Sequence, residues 1–216
     1  MRSAAVFVVF LILTLSTGIR AQASTSDAQR YKTCLSKAYS TPSAAYEEAI
    51  IWREEGGAGP ARHCLAMALL GLRAYEDAAA QLEALAYAPD IGDEDLRIEV
   101  LEQSGEAWLQ ASKPEDALRV LSRALENDKT NAAVYTNRAR AFMALENINA
   151  AKADLNTALR LSPDNTLALR LRAAVLLTQN DLGGARRDIE AALRKEPANV
   201  DALLVRGQVR EAQRLR

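Results

Sequence analysis

Two consecutive stretches of the chain decide its fold. Residues 132–165 read AAVYTNRARAFMALENINAAKADLNTALRLSPDN, and residues 166–199 read TLALRLRAAVLLTQNDLGGARRDIEAALRKEPAN. Small and apolar residues recur in the two stretches at a constant offset of 34 residues. The matched pairs are Ala139 and Ala173, Ala151 and Ala185, Leu155 and Ile189, Ala158 and Ala192, and Pro163 and Pro197. The same step finds Gly105, Ala117, Leu121 and Ala124 upstream and Gly207 downstream, which sets repeat starts at Ile98, Ala132, Thr166 and Val200.

The recurring small residues have a physical reason. Two antiparallel helices approach closely only where neither carries a bulky side chain, so Gly or Ala is expected at each crossing. Pro163 and Pro197 cannot continue a helix and therefore mark the end of the second helix of a unit. The composition agrees, because 49% hydrophobic and only 5% aromatic residues favour packed helices over sheet and exclude a disordered chain.

This pattern resembles the tetratricopeptide repeat (TPR). The chain resembles TPR proteins of the exported bacterial type. The small residue at position 8 of that repeat matches Gly105, Ala139, Ala173 and Gly207, and the alanine at position 20 matches Ala117, Ala151 and Ala185. The alanine at position 27 matches Ala124, Ala158 and Ala192, whereas the proline at position 32 is Lys129 in the first regular unit. The resemblance implies an all-α fold, a right-handed superhelical solenoid of antiparallel helix pairs with about five pairs and a C-terminal capping helix.

The chain is expected to divide into four parts. Residues 1–23 are predicted to be a signal peptide, and residues 24–97 to hold two divergent helical repeats with an insertion near residues 91–97. Residues 98–199 form three regular 34-residue units, and residues 200–216 form the capping helix. Arg206, Arg210 and Arg214 run along one side of that last helix, which is typical of a solvated end face.

The first residues have the pattern of a secretory leader. A short basic start precedes an apolar run at residues 4–15, and Ala21-Gln22-Ala23 supplies a small-x-small cleavage site. The run is shorter than the roughly 20 residues that span a bilayer. We therefore expect a periplasmic or secreted protein. An uncleaved leader would instead anchor the chain at the inner membrane as a structural component of an envelope assembly, and contact with a membrane is expected only in that case.

Export affects the interpretation of the two cysteines. In an oxidising compartment Cys34 and Cys64, on the first helices of adjacent units, are predicted to form a disulfide. Two free buried thiols are the alternative. A metal site with His63 lacks a fourth ligand and the usual close spacing, so neither a metal nor another cofactor is expected.

Charged residues recur with the repeat. Position 7 carries Arg138, Arg172 and Arg206, and position 23 carries Asp154 and Asp188. Both members are absent together from the preceding unit, so Arg138 with Asp154 and Arg172 with Asp188 are predicted to be structural ion pairs. An anion-binding site is the other interpretation.

The resemblance also implies a ligand-binding surface. In proteins of this family, ligands lie along a concave groove lined by the first helix of each unit. The corresponding residues include Glu102, Glu106, Asn137, Arg140, Met143, Arg170 and Leu177, so the groove is expected to be acidic at one end, then basic and apolar. Of the residues with which the chaperone-cofactor branch grips a C-terminal carboxylate, only Asn137 is matched, and Glu102 and Glu106 would repel that group. A protein or peptide of mixed charge is the expected partner.

Other function classes find little support in the sequence. With 27 basic and 28 acidic residues, the chain has no electrostatic footprint for nucleic acid. It has no phosphate-binding glycine loop, nucleophile elbow or zinc-protease motif, so no catalytic residue is assigned and the chain is not expected to be an enzyme. The predicted function is protein binding by an exported scaffold.

Overall fold

The computed structural model describes residues 15–89, 91 and 94–215, with side chains from residue 26 onward. Residues 1–14 of the predicted leader therefore lie outside the described residues. The described part is all-α, as predicted, and none of its helices combines the length and hydropathy needed to cross a bilayer. The chain divides into two compact units, Met1–Leu72 and Arg73–Arg216.

In the described part of the first unit, three helices pack against one another: α1 (Leu15–Ser40), α2 (Pro42–Glu54) and α3 (Ala58–Gly71). Pro42 occupies the first turn of α2, where its missing N–H removes no helical hydrogen bond. Trp52 and small residues such as Ala45 and Ala61 are buried between the helices. Alanine-rich crossings and the buried Trp52 form the centre of this unit.

The second unit contains eight helices among its described residues. They are α4 (Tyr75–Ala86), α5 (Glu94–Gln110), α6 (Pro114–Asn127), α7 (Ala132–Ala144), α8 (Ile148–Leu161), α9 (Thr166–Thr178), α10 (Leu182–Lys195) and α11 (Val200–Arg214). Helices α5 and α6, α7 and α8, and α9 and α10 form the pairs of the three regular repeats, and α11 packs on α9 and α10.

Side chains that recur with the repeat build the helix crossings and the helix starts. Ala139 and Ala173 are fully buried at equivalent crossings. An asparagine at the same repeat position begins each of α7, α9 and α11, because its side chain accepts hydrogen bonds from the first backbone N–H groups of the helix. These residues are Asn131, Asn165 and Asn199.

The start of α5 differs from the expectation, and the backbone of the turns inside the repeats was not anticipated. Helix α5 begins at Glu94 rather than Ile98, so part of the expected insertion is helical; Glu94 and Asp95 favour this start because carboxylates stabilise the positive end of a helix. The turn inside each regular repeat contains a non-glycine residue with positive φ, namely Ser112, Glu146 and Asn180. This conformation reverses the chain between the two helices of a unit.

Candidate functional site

The first helices of the three regular repeats lie side by side. Helix α7 packs against both α5 and α9, and α9 packs against α11. We call the surface that carries the predicted ligand residues of α5, α7 and α9 the groove face. The structure places Glu102 and Glu106 on α5, Asn137, Arg140 and Met143 on α7, and Arg170 and Leu177 on α9.

Four of these residues form a hydrogen-bonded chain between α5 and α7. Asn137 Nδ2 donates to Glu102 Oε1 at 3.5 Å, and Arg140 Nη1 donates to Asn137 Oδ1 at 3.0 Å. The same Arg140 nitrogen lies 3.5 Å from Glu106 Oε1. Asn137 is only 6% exposed, so it positions its charged neighbours rather than offering its own amide to a ligand.

The α5 side of the groove face is acidic. Burial raises the pKa of Glu102, a hydrogen bond with Asn131 opposes that shift, and the nearby carboxylates Glu106 and Glu99 raise the pKa further. Among the basic side chains described on the groove face, Arg140 is the one that pairs with a glutamate of α5, namely Glu106. Negative charge is therefore left over at this side of the groove face.

Arg170 belongs to a separate arrangement. Its Nη1 lies 3.1 Å from Asp201 Oδ2 on α11, so the arginine expected to make this end of the groove basic is balanced by a carboxylate from the next unit. Asp201 was not among the predicted site residues. Its position directly after the start of the last repeat is the signal that could have identified it, because the equivalent Glu99 lies beside Glu102.

The two apolar groove residues are partly used by the core. Met143 packs against a cluster that includes Leu159 and Val175, and Leu177 packs against Leu176, Ala185 and Val209. Both side chains remain half-buried, so a portion of each faces outward. They provide limited apolar surface beside the charged network.

The predicted ion pairs lie between the two helices of a unit, away from the groove network. Arg138 donates from Nε and Nη2 to the two carboxylate oxygens of Asp154, at 2.7 and 2.8 Å. Arg172 binds Asp188 in the same way at 2.6 and 2.8 Å. The hydrogen bond to Asp154 raises the pKa of Arg138. Each arginine thus has its charge balanced by an aspartate of its own repeat.

The cysteines lie together in the first unit. The Cα atoms of Cys34 and Cys64 are 6.1 Å apart and their sulfur atoms are joined. Next to them the Tyr31 hydroxyl and His63 Nδ1 share a hydrogen bond of 2.5 Å. Among the described residues, no group of three or more His, Cys, Asp or Glu side chains is arranged to hold a metal ion.

Stacked antiparallel helix pairs, repeated at one constant interval, define the chain as a helical-repeat protein, and comparisons with known proteins specify the family. Two family models, each described as tetratricopeptide repeat, match residues 109–175 and 175–215. Residues 109–215 of the chain are therefore tetratricopeptide repeats. No curated protein matches it.

Three solved structures show how far the likeness extends. The first TPR of Spaghetti (RPAP3), bound to the HSP90 peptide SRMEEVD, is 28% identical, with 54% of this chain and 92% of that chain covered and a TM-score of 0.52. MamA from Desulfovibrio magneticus RS-1 is 17% identical, with 81% and 97% covered and a TM-score of 0.64. YrrB, described as a TPR protein with an unusual peptide-binding site, is 15% identical, with 84% and 86% covered and a TM-score of 0.59. The last two comparisons support the fold alone.

Proposed function

We propose that the chain is an exported scaffold that binds a segment of another protein on its groove face and catalyses no reaction. The observation that carries this proposal is the surface formed by the adjacent helices α5, α7 and α9, which combines charged side chains with the half-buried Met143 and Leu177. Such a surface suits an extended peptide or a helix, because both present side chains at regular intervals. The peptide-bound Spaghetti domain, which is similar over about half of this chain, supports the same kind of use.

The charge of the groove face favours a basic or mixed partner. Glu99, Glu102 and Glu106 place three carboxylates along α5, and Arg140 balances one of them. Like charges brought together across an interface oppose binding, so an acidic segment such as the SRMEEVD peptide would be repelled here. A segment with lysine or arginine opposite α5 and an apolar residue opposite Met143 fits the surface better.

Groove variants test the proposed surface. Met143→Glu and Leu177→Glu add a charge to half-buried apolar side chains, so neither removes a polar contact. Partners recovered from the native compartment by crosslinking, and then purified, should bind both variants at least about tenfold more weakly. The control is Arg123→Glu, which changes an exposed residue on α6. Equal affinity of all three variants would contradict the proposal.

Export rests on the leader pattern and has its own test. Mass spectrometry of the protein purified from its own cells should give a chain that begins at Ser24. Retention of residues 1–23 would support the alternative, a scaffold anchored at the inner membrane, and would leave the groove proposal unchanged.

A further inference from the structure

One apolar residue recurs near the end of each first helix on the groove face. Leu109 on α5, Met143 on α7 and Leu177 on α9 occupy the same repeat position, and all three are half-buried. On α5 the exposed residues Glu106 and Gln110 lie one turn before Leu109 and directly after it. Leu109 therefore belongs to the open side of its helix. We call the three residues the apolar row.

The apolar row has a regular spacing. Helix α7 packs directly against both α5 and α9. The axes of directly packed helices are about 8–10 Å apart. Because each helix contributes one member at the same repeat position, neighbouring members of the row are separated by about this distance. A segment that covers the row must present its own apolar side chains on one side at the same interval.

The polyproline II conformation matches this interval. It has about three residues per turn and rises about 3.1 Å per residue, so every third side chain lies on the same side, about 9.3 Å from the previous one. In a β-strand the side chains of one face are two or four residues apart, which corresponds to about 7 or 13 Å. A strand therefore falls out of step with the row.

An α-helix laid across the row fits less well. Residues seven positions apart in a helix are separated by about 10.5 Å, but residues three or four positions apart lie between them on the same face. Between α5 and α7 these residues would meet the ion pair of Arg140 and Glu106, whose atoms are 3.5 Å apart. A polyproline II segment directs its intervening side chains elsewhere, and its backbone groups stay open to polar neighbours such as Gln110.

The charge of the groove face determines which end of the segment is basic. Glu106 lies one turn before Leu109, whereas Ala174 lies one turn before Leu177. The carboxylates described above on α5 leave surplus negative charge at that end of the apolar row. Opposite charges across an interface favour binding, so basic residues belong next to the apolar residue that meets Leu109.

We propose that the groove face binds a segment in the polyproline II conformation, with an apolar residue at every third position and basic residues at the end that lies on α5. The inference rests on the proposed function, because it specifies the kind of segment that the groove face binds. Leu109, Met143 and Leu177 each contact one apolar side chain of the segment. The glutamates of α5 bind its basic end.

Synthetic peptides of one composition test the spacing. The peptide KKLPQLPQLPQ has a leucine at every third residue, and its prolines favour polyproline II. KKPLQLQLPQP and KKLPQPLQPQL contain the same residues with the leucines two and four positions apart. Each is also made in reversed order, because a polyproline II segment presents the same row of side chains in both directions. Binding of the fluorescently labelled peptides to the full chain is measured by anisotropy.

The leucines at every third residue should give the tightest binding. We expect an affinity at least about tenfold higher than for either of the other spacings. EELPQLPQLPQ, in which the basic end is made acidic, should bind at least about tenfold more weakly than its lysine counterpart. A side-chain-stapled helix with lysines at one end and leucines seven residues apart is the competing probe, and it should bind more weakly as well.

Variants of the chain identify the apolar row as the contact. Leu109→Gln and Leu177→Gln each remove one end of the row and should weaken binding of KKLPQLPQLPQ about fivefold, since each leucine is only half-buried before binding. The matched control is Leu161→Gln, on the second helix α8, where the leucine is 38% exposed. It should leave binding unchanged. Circular dichroism verifies that the helices of each variant remain folded.

Four results would overturn the proposal. They are equal or tighter binding of a peptide with another leucine spacing, tighter binding of the stapled helix, undiminished binding by both row variants, and no binding of any peptide up to about 1 mM. Crosslinking in cells from a photoreactive amino acid at Met143 separates these results from failure of the proposed function. A partner captured there would show that the groove face binds a segment of another conformation, whereas no captured partner would contradict the proposed function itself.

Discussion

The guanidinium of Arg138 binds both carboxylate oxygens of Asp154 across the two helices of one repeat. The same arrangement recurs one repeat later between Arg172 and Asp188. Arg138 also lies 5.6 and 5.7 Å from the ring centroids of Tyr135 and Phe142, so its apolar stem and planar head are both packed. The pair fixes how α7 and α8 lie against each other, in addition to the alanine crossing between them.

Removal of one partner should destabilise the second unit. Asp154→Ala leaves Arg138, whose side chain is 21% exposed, without its carboxylate partner. We expect a loss of about 2–3 kcal/mol in the free energy of unfolding, somewhat below the range for fully buried pairs. Chemical denaturation followed by circular dichroism measures it. Binding on the groove face should be unaffected.

The control for this prediction is present in the chain itself. The preceding repeat carries Ser104 and Val120 at the two positions, and both are fully buried. The double variant Arg138→Ser with Asp154→Val should therefore recover much of the stability that Asp154→Ala loses. If Asp154→Ala unfolds like the wild type but loses a bound anion or partner, the pair is a ligand site rather than a structural one.

Two glycines at the same repeat position should respond in opposite directions to alanine. Gly105→Ala forces a methyl group onto the fully buried Leu121 and should destabilise the protein by about 1–3 kcal/mol, less the gain in helix propensity. Gly207→Ala meets open space and should stabilise it by about 0.5–1 kcal/mol. Thermal and chemical denaturation of the two variants measures the contrast. The same sign for both would contradict the packing described for α5 and α6.

The raised pKa of Glu102 predicts a pH-dependent effect. A carboxyl group with a higher pKa in the folded than in the unfolded chain holds its proton more tightly when folded, so its ionised form destabilises the fold at neutral pH. Glu102→Gln should accordingly be more stable than the wild type near pH 7. The difference should vanish as the pH falls through the folded pKa and below the unfolded value of about 4.3.

An exposed glutamate provides the comparison for this experiment. Glu47 on α2 is exposed and forms no ion pair with a described residue. Glu47→Gln should therefore change the free energy of unfolding little. A stabilisation by Glu102→Gln that persists unchanged in acid would show that charge is not its cause. Urea denaturation at several pH values resolves these outcomes.

The Cys34–Cys64 bond should stabilise the first unit. Closure of the 30-residue separation between them corresponds to about 3.6 kcal/mol in chain entropy. Reduction, or the double variant Cys34→Ser with Cys64→Ser, should lower the stability of Met1–Leu72 by up to this amount. Alkylation of the unreduced, unfolded protein should add no label, and two added labels would show that the thiols are free.

The sequence predicts the helical framework well because its determinants are local and periodic. Ala132, Thr166 and Val200 begin helices in the structure at the repeat starts derived from the constant offset. Small residues at crossings and caps at helix starts act over one or two turns, so a single sequence contains them. The early start of α5 escaped the prediction because the repeat pattern carries no information on a helix that extends beyond its own unit.

The arrangement of the groove face was harder to predict. Arg140 with Glu106 and Arg170 with Asp201 join residues of neighbouring repeats, and these contacts depend on how adjacent helices are offset. The sequence suggested an acidic end followed by a basic one. The structure instead pairs each arginine with a carboxylate and leaves the surplus negative charge on α5. Likewise, no local pattern shows that Asn137 is buried.

The central claim is that the groove face binds a protein partner, and site-specific photocrosslinking tests it most directly. A photoreactive amino acid at Met143, on the groove face, and another at Arg123, on the outer side of α6, would be activated in living cells. The account predicts one discrete crosslinked partner from position 143, lost when Leu177→Glu is added, and none from position 123. The same products from both positions, or a product from position 143 that Leu177→Glu leaves unchanged, would contradict it.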